Sequence, residues 1–144
     1  MPYLVVKGAA DAIAFYQRVF GAETLFRLNE PKGSVMHAEL RVGPAHFMLT
    51  EESPAHGALG PLSIGGSASS ATLYVPDADA VFERAVNAGS TVLMPMQNQF
   101  WGDRAGAVTD PFGHKWFIAT RLEEPSPQEI EQRVAKLFAS GGPC

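Results

Sequence analysis

The sequence predicts an α+β domain made of two βαβββ modules followed by a C-terminal helix. A repeat points to it first: Asp11-Ala12-Ile13 through Phe20-Gly21 aligns on Asp79-Ala80-Val81 through Ala88-Gly89, and the same offset lays His46 on His114. Within each copy, apolar residues switch from alternate spacing to spacing by three or four and back, the periods of strand and helix. Between the copies, residues 52–69 carry Pro54, Gly57, Gly60, Pro61, Gly65 and Gly66, which suits a crossover and not a core element. The expected organisation is one domain over 1–144, with module 1 at 1–51, a linker at 52–69, module 2 at 70–122, and a C-terminal helix and tail at 123–144.

Residues 3–6 are a short β-branched and aromatic run and read as a strand. Over 9–20, Ala9, Ile13, Tyr16 and Phe20 share a helical stripe, and Gly21 stands where a left-handed helix end favours glycine. Residues 23–28, 34–42 and 45–51 are strand-like, the last two joined by the turn Val42-Gly43-Pro44. In module 2 the order recurs. A strand over 71–75 leads to a helix with Asp77 as N-cap, Val81, Ala85 and Ala88 on one face, and Gly89 as its stop. Strands follow over 91–94, 105–109 and 114–121, with Asp110-Pro111-Phe112-Gly113 as a turn. Ser126-Pro127-Gln128-Glu129 is a capping-box start with proline in the first turn. It opens a helix to about residue 139 that offers Ile130, Val134, Leu137 and Phe138 for packing, ahead of a short tail.

A module of about 50 residues is too small to bury a core alone, so the copies must pack together. With one helix per module, one face of each sheet is left to meet a partner, face water or line a cavity. Along 35–42, Met36, Ala38, Leu40 and Val42 share the face that suits burial, while His37, Glu39 and Arg41 share the other. That polar row suits either a solvated, self-paired sheet face or a site. On the strand opening module 2, Ser70, Thr72 and Tyr74 share a face, which suits a small-molecule groove or a core tyrosine whose hydroxyl reaches water. In Gln99-Phe100-Trp101-Gly102-Asp103-Arg104, Trp101 suits stacking on a planar ligand and Arg104 bidentate capture of an anion. Equally, Trp101 suits anchoring a loop while Asp103 pairs with Arg104.

Composition excludes several classes. Apolar residues make up 46% and charged residues 18%, which does not describe a disordered chain. The net charge of −4 and the lack of a Lys/Arg cluster exclude a nucleic-acid footprint. No apolar run is long enough to span a membrane and the N-terminus lacks a signal pattern, so the expectation is a cytoplasmic protein. The one cysteine, Cys144, excludes a disulfide scaffold and a cysteine-rich zinc site. His37, His46, His56 and His114 form no short metal-binding spacing, although His37 and Glu39 share one side of a strand. A nucleophile elbow, a phosphate-binding loop and a dinucleotide fingerprint are absent.

Taken together, Pro2 to Lys7, Ala12-Ile13-Ala14-Phe15-Tyr16 leading to Val19-Phe20-Gly21-Ala22, His37-Ala38-Glu39-Leu40, Trp101-Gly102-Asp103-Arg104 and Asp110-Pro111-Phe112-Gly113-His114 resemble the vicinal oxygen chelate superfamily. That group includes glyoxalase I, fosfomycin-resistance enzymes, extradiol dioxygenases and bleomycin-binding proteins, and the likeness is to its PhnB-like branch. The resemblance spans about residues 2–122. It implies modules curving into a half-open barrel around a ligand cavity, and a homodimer. It also implies that metal-using relatives draw ligands from the first and last strands of each module. Here those places fall on Met1 or Pro2, Met48 or Leu49, Ser70, and Phe117, where a phenyl ring offers no lone pair.

The expectation is therefore a metal-independent small-molecule-binding protein without a cofactor, protective by sequestration, its ligand held by Thr72, Tyr74, Phe100, Trp101, Phe117 and Met48. The alternative is a glyoxalase-like lyase, isomerase or related enzyme with a relocated site: His37 as general base, Glu39 orienting it, and Arg104 stabilising developing negative charge. A third reading is a dimeric domain whose open sheet face serves assembly.

Overall fold

The computed structural model describes residues 1–141, and Cys144 lies outside them. Module 1 runs β1 (Tyr3–Val6), α1 (Ala9–Phe20), β2 (Glu23–Asn29), β3 (Val35–Val42) and β4 (Ala45–Glu51). After a 3₁₀ turn at Pro54–His56 and the single-turn helix α2 (Pro61–Ile64), module 2 runs β5 (Ser70–Tyr74), α3 (Ala78–Asn87), β6 (Thr91–Asn98), β7 (Asp103–Thr109) and β8 (Lys115–Arg121). The helix α4 (Pro127–Ala139) follows.

Each module forms one four-stranded sheet, in the orders β1-β4-β3-β2 and β5-β8-β7-β6. The first strand of each pairs in parallel with the last, and the other pairings are antiparallel. Local chemistry sets the helix ends. The Glu51 carboxylate, delivered by the end of β4, accepts from the backbone N–H groups of Gly8 and Ala9 at 2.8 and 2.9 Å and caps α1. Gly21 closes the helix in the left-handed conformation. The Asp77 side chain caps α3 through Ala80 N–H, and the Ser126 hydroxyl caps α4 through Glu129 N–H.

One face of each sheet turns to a common core. Tyr16, Val19 and Phe20 of α1 pack against Phe47 and Leu49 on one side and Trp116 on the other, with Leu40 and Ile118 buried in the same cluster. The remaining sheet faces therefore look outward.

Several expectations need correction. In the sheets, Tyr3 faces Met48 and Thr72 faces Phe117, so β4 maps on β8 one residue beyond the offset seen in the helices. Residues 110–114 join β7 to β8 where only 43 and 44 join β3 to β4, and His46 consequently corresponds to Lys115 and not to His114. Met36 is exposed while Val35 is buried, because the ladder slips between Leu28 and Asn29 and reverses the alternation at the start of β3. Strand β6 runs on through Pro95 to Asn98, past the expected end at 94, since register shifts along it absorb the missing donor. Strand β7 begins at Asp103 and not at residue 105, a change that bears on the site.

Candidate functional site

The open face of module 2 holds a cavity of about 300 Å³ lined by β5, β7, β8 and the loop before β7. Its geometry follows from register. Thr72 lies opposite Phe117, Tyr74 opposite Ala119, and Ala119 opposite Ala105, so two alanines form a floor between larger walls. Tyr74, Trp101 and Phe117 supply the aromatic walls, and Ser70 and Thr72 supply hydroxyls.

Asp103, 3% exposed, fixes two of those walls. Its Oδ2 accepts from the Tyr74 hydroxyl at 2.7 Å and from Trp101 Nε1–H at 2.9 Å. Both bonds are charge-assisted and sit in a poorly solvated place, which makes them strong. Arg121 faces Asp103 across the β7–β8 ladder, with Nε 3.6 Å from Oδ1 and its guanidinium carbon 4.8 Å from the centre of the Tyr74 ring. Gly102, at φ 106°, brings the loop against the segment after β8, and its carbonyl accepts from the N–H groups of Leu122 and Glu123. A Cβ there would stand 2.5 Å from the Glu123 carbonyl oxygen. The conformation that presents Trp101 thus requires glycine.

The structure brings together Thr72, Tyr74, Trp101 and Phe117. Phe100 turns away into a separate groove of about 720 Å³ beside α4, its ring edge-on to Trp101 at 4.9 Å and its carbonyl accepting from Arg133 at 3.0 Å. Met48 lies on the open face of module 1, opposite Tyr3 and Glu39. His37 is on the same face, its Nδ1 2.8 Å from the Tyr3 hydroxyl and its ring 6.0 Å from Phe26. Glu39 reaches towards His46 at 3.5 Å, so it is not the group that orients His37.

Arg104 points the other way. Successive residues of a strand alternate in direction. With β7 starting at Asp103, Asp103 faces the cavity and Arg104 faces α3, where its Nε and Nη2 grip Asp79 at 2.7 and 2.9 Å. That pairing holds the Arg104 guanidinium above, and the Asp79 carboxyl below, their ordinary pKa values. The expected Asp103–Arg104 pair does not form, and His37, Glu39 and Arg104 do not converge. Sequence reasoning missed Asp103 as a cavity group and Arg121 as its neighbour beside Tyr74. Extending the alternation of β7 by two residues would have found the first, and the last rung of the β7–β8 hairpin the second.

Comparison with known proteins places this architecture. Residues 2–118 match the model of the family described as Glyoxalase/Bleomycin resistance protein/Dioxygenase superfamily. The chain belongs to that superfamily. The uncharacterized protein Rv0887c of Mycobacterium tuberculosis is 42% identical over 93% of this chain and 81% of its own length. The crystal structure of TioX from Micromonospora sp. ML1 matches with a TM-score of 0.63 and 29% identity, covering 83% of this chain and 95% of that one. A PhnB protein from Bacillus cereus shares the fold at a TM-score of 0.65 and 20% identity, over 83% and 97% of the two chains.

Superfamily likeness implies a divalent metal held by the first and last strands of each module, and the residues at those places do not fit one. Met1 or Met48 offers a thioether, Pro2, Leu49 and Phe117 no side-chain donor, and Ser70 a neutral hydroxyl, whereas divalent ions take carboxylate donors or, for the borderline ones, imidazole. The cavity's one carboxylate, Asp103, is already engaged by Tyr74 and Trp101. Among the described residues, no three His, Cys, Asp or Glu side chains gather into a metal-holding group. None of the described helices is long and apolar enough to cross a membrane.

Proposed function

We propose that this superfamily member is a metal-independent small-molecule-binding protein that protects by sequestration, stacking its ligand in the module 2 cavity. The observation that carries the reading is a recess walled by Tyr74, Trp101 and Phe117, two of its rings pinned by the buried Asp103. Fixed aromatic walls with a few orienting polar atoms are how proteins hold small organic molecules. Among the described residues no histidine or lysine lines the recess, and its one carboxylate, Asp103, accepts from Tyr74 and Trp101 and not from Ser70 or Thr72.

A homodimer in the cytoplasm is part of the proposal. The open face of module 1 leaves Tyr3, Phe26 and Leu28 each more than two-fifths exposed, and a second copy laid on this sheet would remove that apolar surface from water. The test is a thermal-shift screen of planar aromatic compounds, with hits confirmed by calorimetry before and after chelator treatment. Retained binding and no chemical change in the recovered ligand are expected. Binding that disappears with chelator and returns with zinc or manganese would overturn the proposal.

A further inference from the structure

We propose that the module 2 cavity selects an aromatic ligand carrying a planar cation of the amidinium or guanidinium type, with Asp103 as its acceptor and Arg121 as a tethered competitor for the same place. This rests on reading the cavity as the ligand site. The first observation is an unfilled acceptor. Both hydrogen bonds to Asp103 end on Oδ2, and Oδ1 receives no hydrogen bond from the described residues. The nearest cation, Arg121 Nε, is 3.6 Å away, beyond hydrogen-bonding distance. Oδ1 keeps some contact with solvent, and a cationic donor that reaches it replaces water with a charge-assisted bond.

The second observation is the cation that already stands against one wall. The Arg121 guanidinium lies over the Tyr74 ring at 4.8 Å, so the chain places a flat cation of its own against the aromatic wall. Its hold is loose. The side chain is 52% exposed and is shared with Glu124 at 3.5 Å, and exposed pairs of this kind are weak and salt-sensitive. A ligand cation that donates to Oδ1 while its ring packs between Trp101 and Phe117 makes both contacts at closer range and turns Arg121 out to solvent. Charge favours the exchange. Asp103 is the one charged group among the lining residues, and the whole chain carries a net charge of −4.

The test uses three isosteres of one ring: benzamidine, benzamide and benzoate, which carry positive, zero and negative charge. The Trp101 Nε1–H resonance in ¹⁵N-labelled protein reports occupancy. Benzamidine should bind about tenfold more tightly than benzamide, as a charge-assisted bond replaces a neutral one, and benzoate more weakly than either. Raising the salt concentration should weaken benzamidine and leave benzamide unmoved. Arg121→Gln, at a half-exposed side chain, should tighten benzamidine severalfold, and Asp103→Asn should reduce it to the level of benzamide. Equal binding of the three probes, preference for benzoate, or weaker benzamidine binding in Arg121→Gln overturns the inference while leaving the cavity reading intact. If none of the three probes moves the Trp101 resonance, the cavity reading itself fails. Should Asp103→Asn not fold, the salt series and Arg121→Gln decide alone.

Discussion

The Tyr16 hydroxyl, from the helix of module 1, donates a 2.5 Å hydrogen bond to Asp110 Oδ2 in the last turn of module 2. The same oxygen accepts from Trp116 Nε1–H at 2.8 Å, while Oδ1 accepts from the N–H groups of Phe112 and His114 at 2.9 Å each. One buried carboxylate thus receives four donors and joins the two modules through their shared core. Removing a donor strands part of a buried charge.

Tyr16→Phe should therefore lower stability by about 1–3 kcal/mol, the cost of an unmet buried partner. Denaturant unfolding would measure it, and a single transition should persist because both modules share the core.

The alkaline behaviour of the same residue is a separate test. Burial, then the neighbouring Asp110 charge, pushes the Tyr16 phenol well above its usual value of 10.0. The folded state thus keeps a proton that the unfolded state releases. Its contribution is complete below about pH 10 and declines as pH rises beyond it. Unfolding free energy measured from pH 9 to 11 should fall less steeply in Tyr16→Phe than in the parent chain.

Acid should act through other groups. Hydrogen bonds from Gly60 N–H and the Ser63 hydroxyl hold the Glu52 carboxyl below its ordinary value, and Arg104 and Arg133 do the same for Asp79 and Glu123. Each contribution is present above the unfolded carboxyl values, near pH 4, and is lost as pH falls through the lower folded ones. Asp79→Asn and Glu123→Gln should flatten the acid limb of a melting-temperature profile between pH 5 and about pH 2.

Gly102→Ala tests whether the Trp101 wall is set by backbone. The added methyl meets the Glu123 carbonyl at 2.5 Å and asks alanine to adopt φ 106°, so the loop must move. The variant should melt at lower temperature and lose probe binding, with the Trp101 Nε1–H resonance shifted before any probe is added. An unchanged resonance would contradict this account of the loop.

Arg104→Ala should weaken the tie to Asp79 and lower the melting temperature modestly, while the affinity of aromatic probes stays as in the parent chain. Calorimetry on both chains distinguishes this from a role in the cavity.

Much of the fold was legible because its signals are local. The stripe of Ala9, Ile13, Tyr16 and Phe20 closed by Gly21 defines α1 to the residue, and the capping box at Ser126 does the same for the start of α4. The aromatic side of the site was legible for a related reason: alternation along β5 puts Thr72 and Tyr74 on one face wherever the strand lies. Arg104 and Phe100 went astray because facing depends on where a strand begins, and the Gly102 turn delays that choice until Asp103. Glu39 went astray because its partner, His46, comes from a neighbouring strand whose register the sequence alone does not fix. Arg121 needed long-range pairing with Asp103 to be seen at all.

The connection between modules behaves as a strap. At Gly60 it lies so close to β1 that a Cβ would stand 3.0 Å from the Val5 carbonyl oxygen, and Pro61 sits beneath Gly113. His114 Nε2 lies 3.0 Å from that same Val5 oxygen. These contacts tie the connection, and the last turn of module 2, to β1. For the proposed ligand, walls already pinned by Asp103 leave little ordering entropy to oppose capture, and discrimination falls to size and charge.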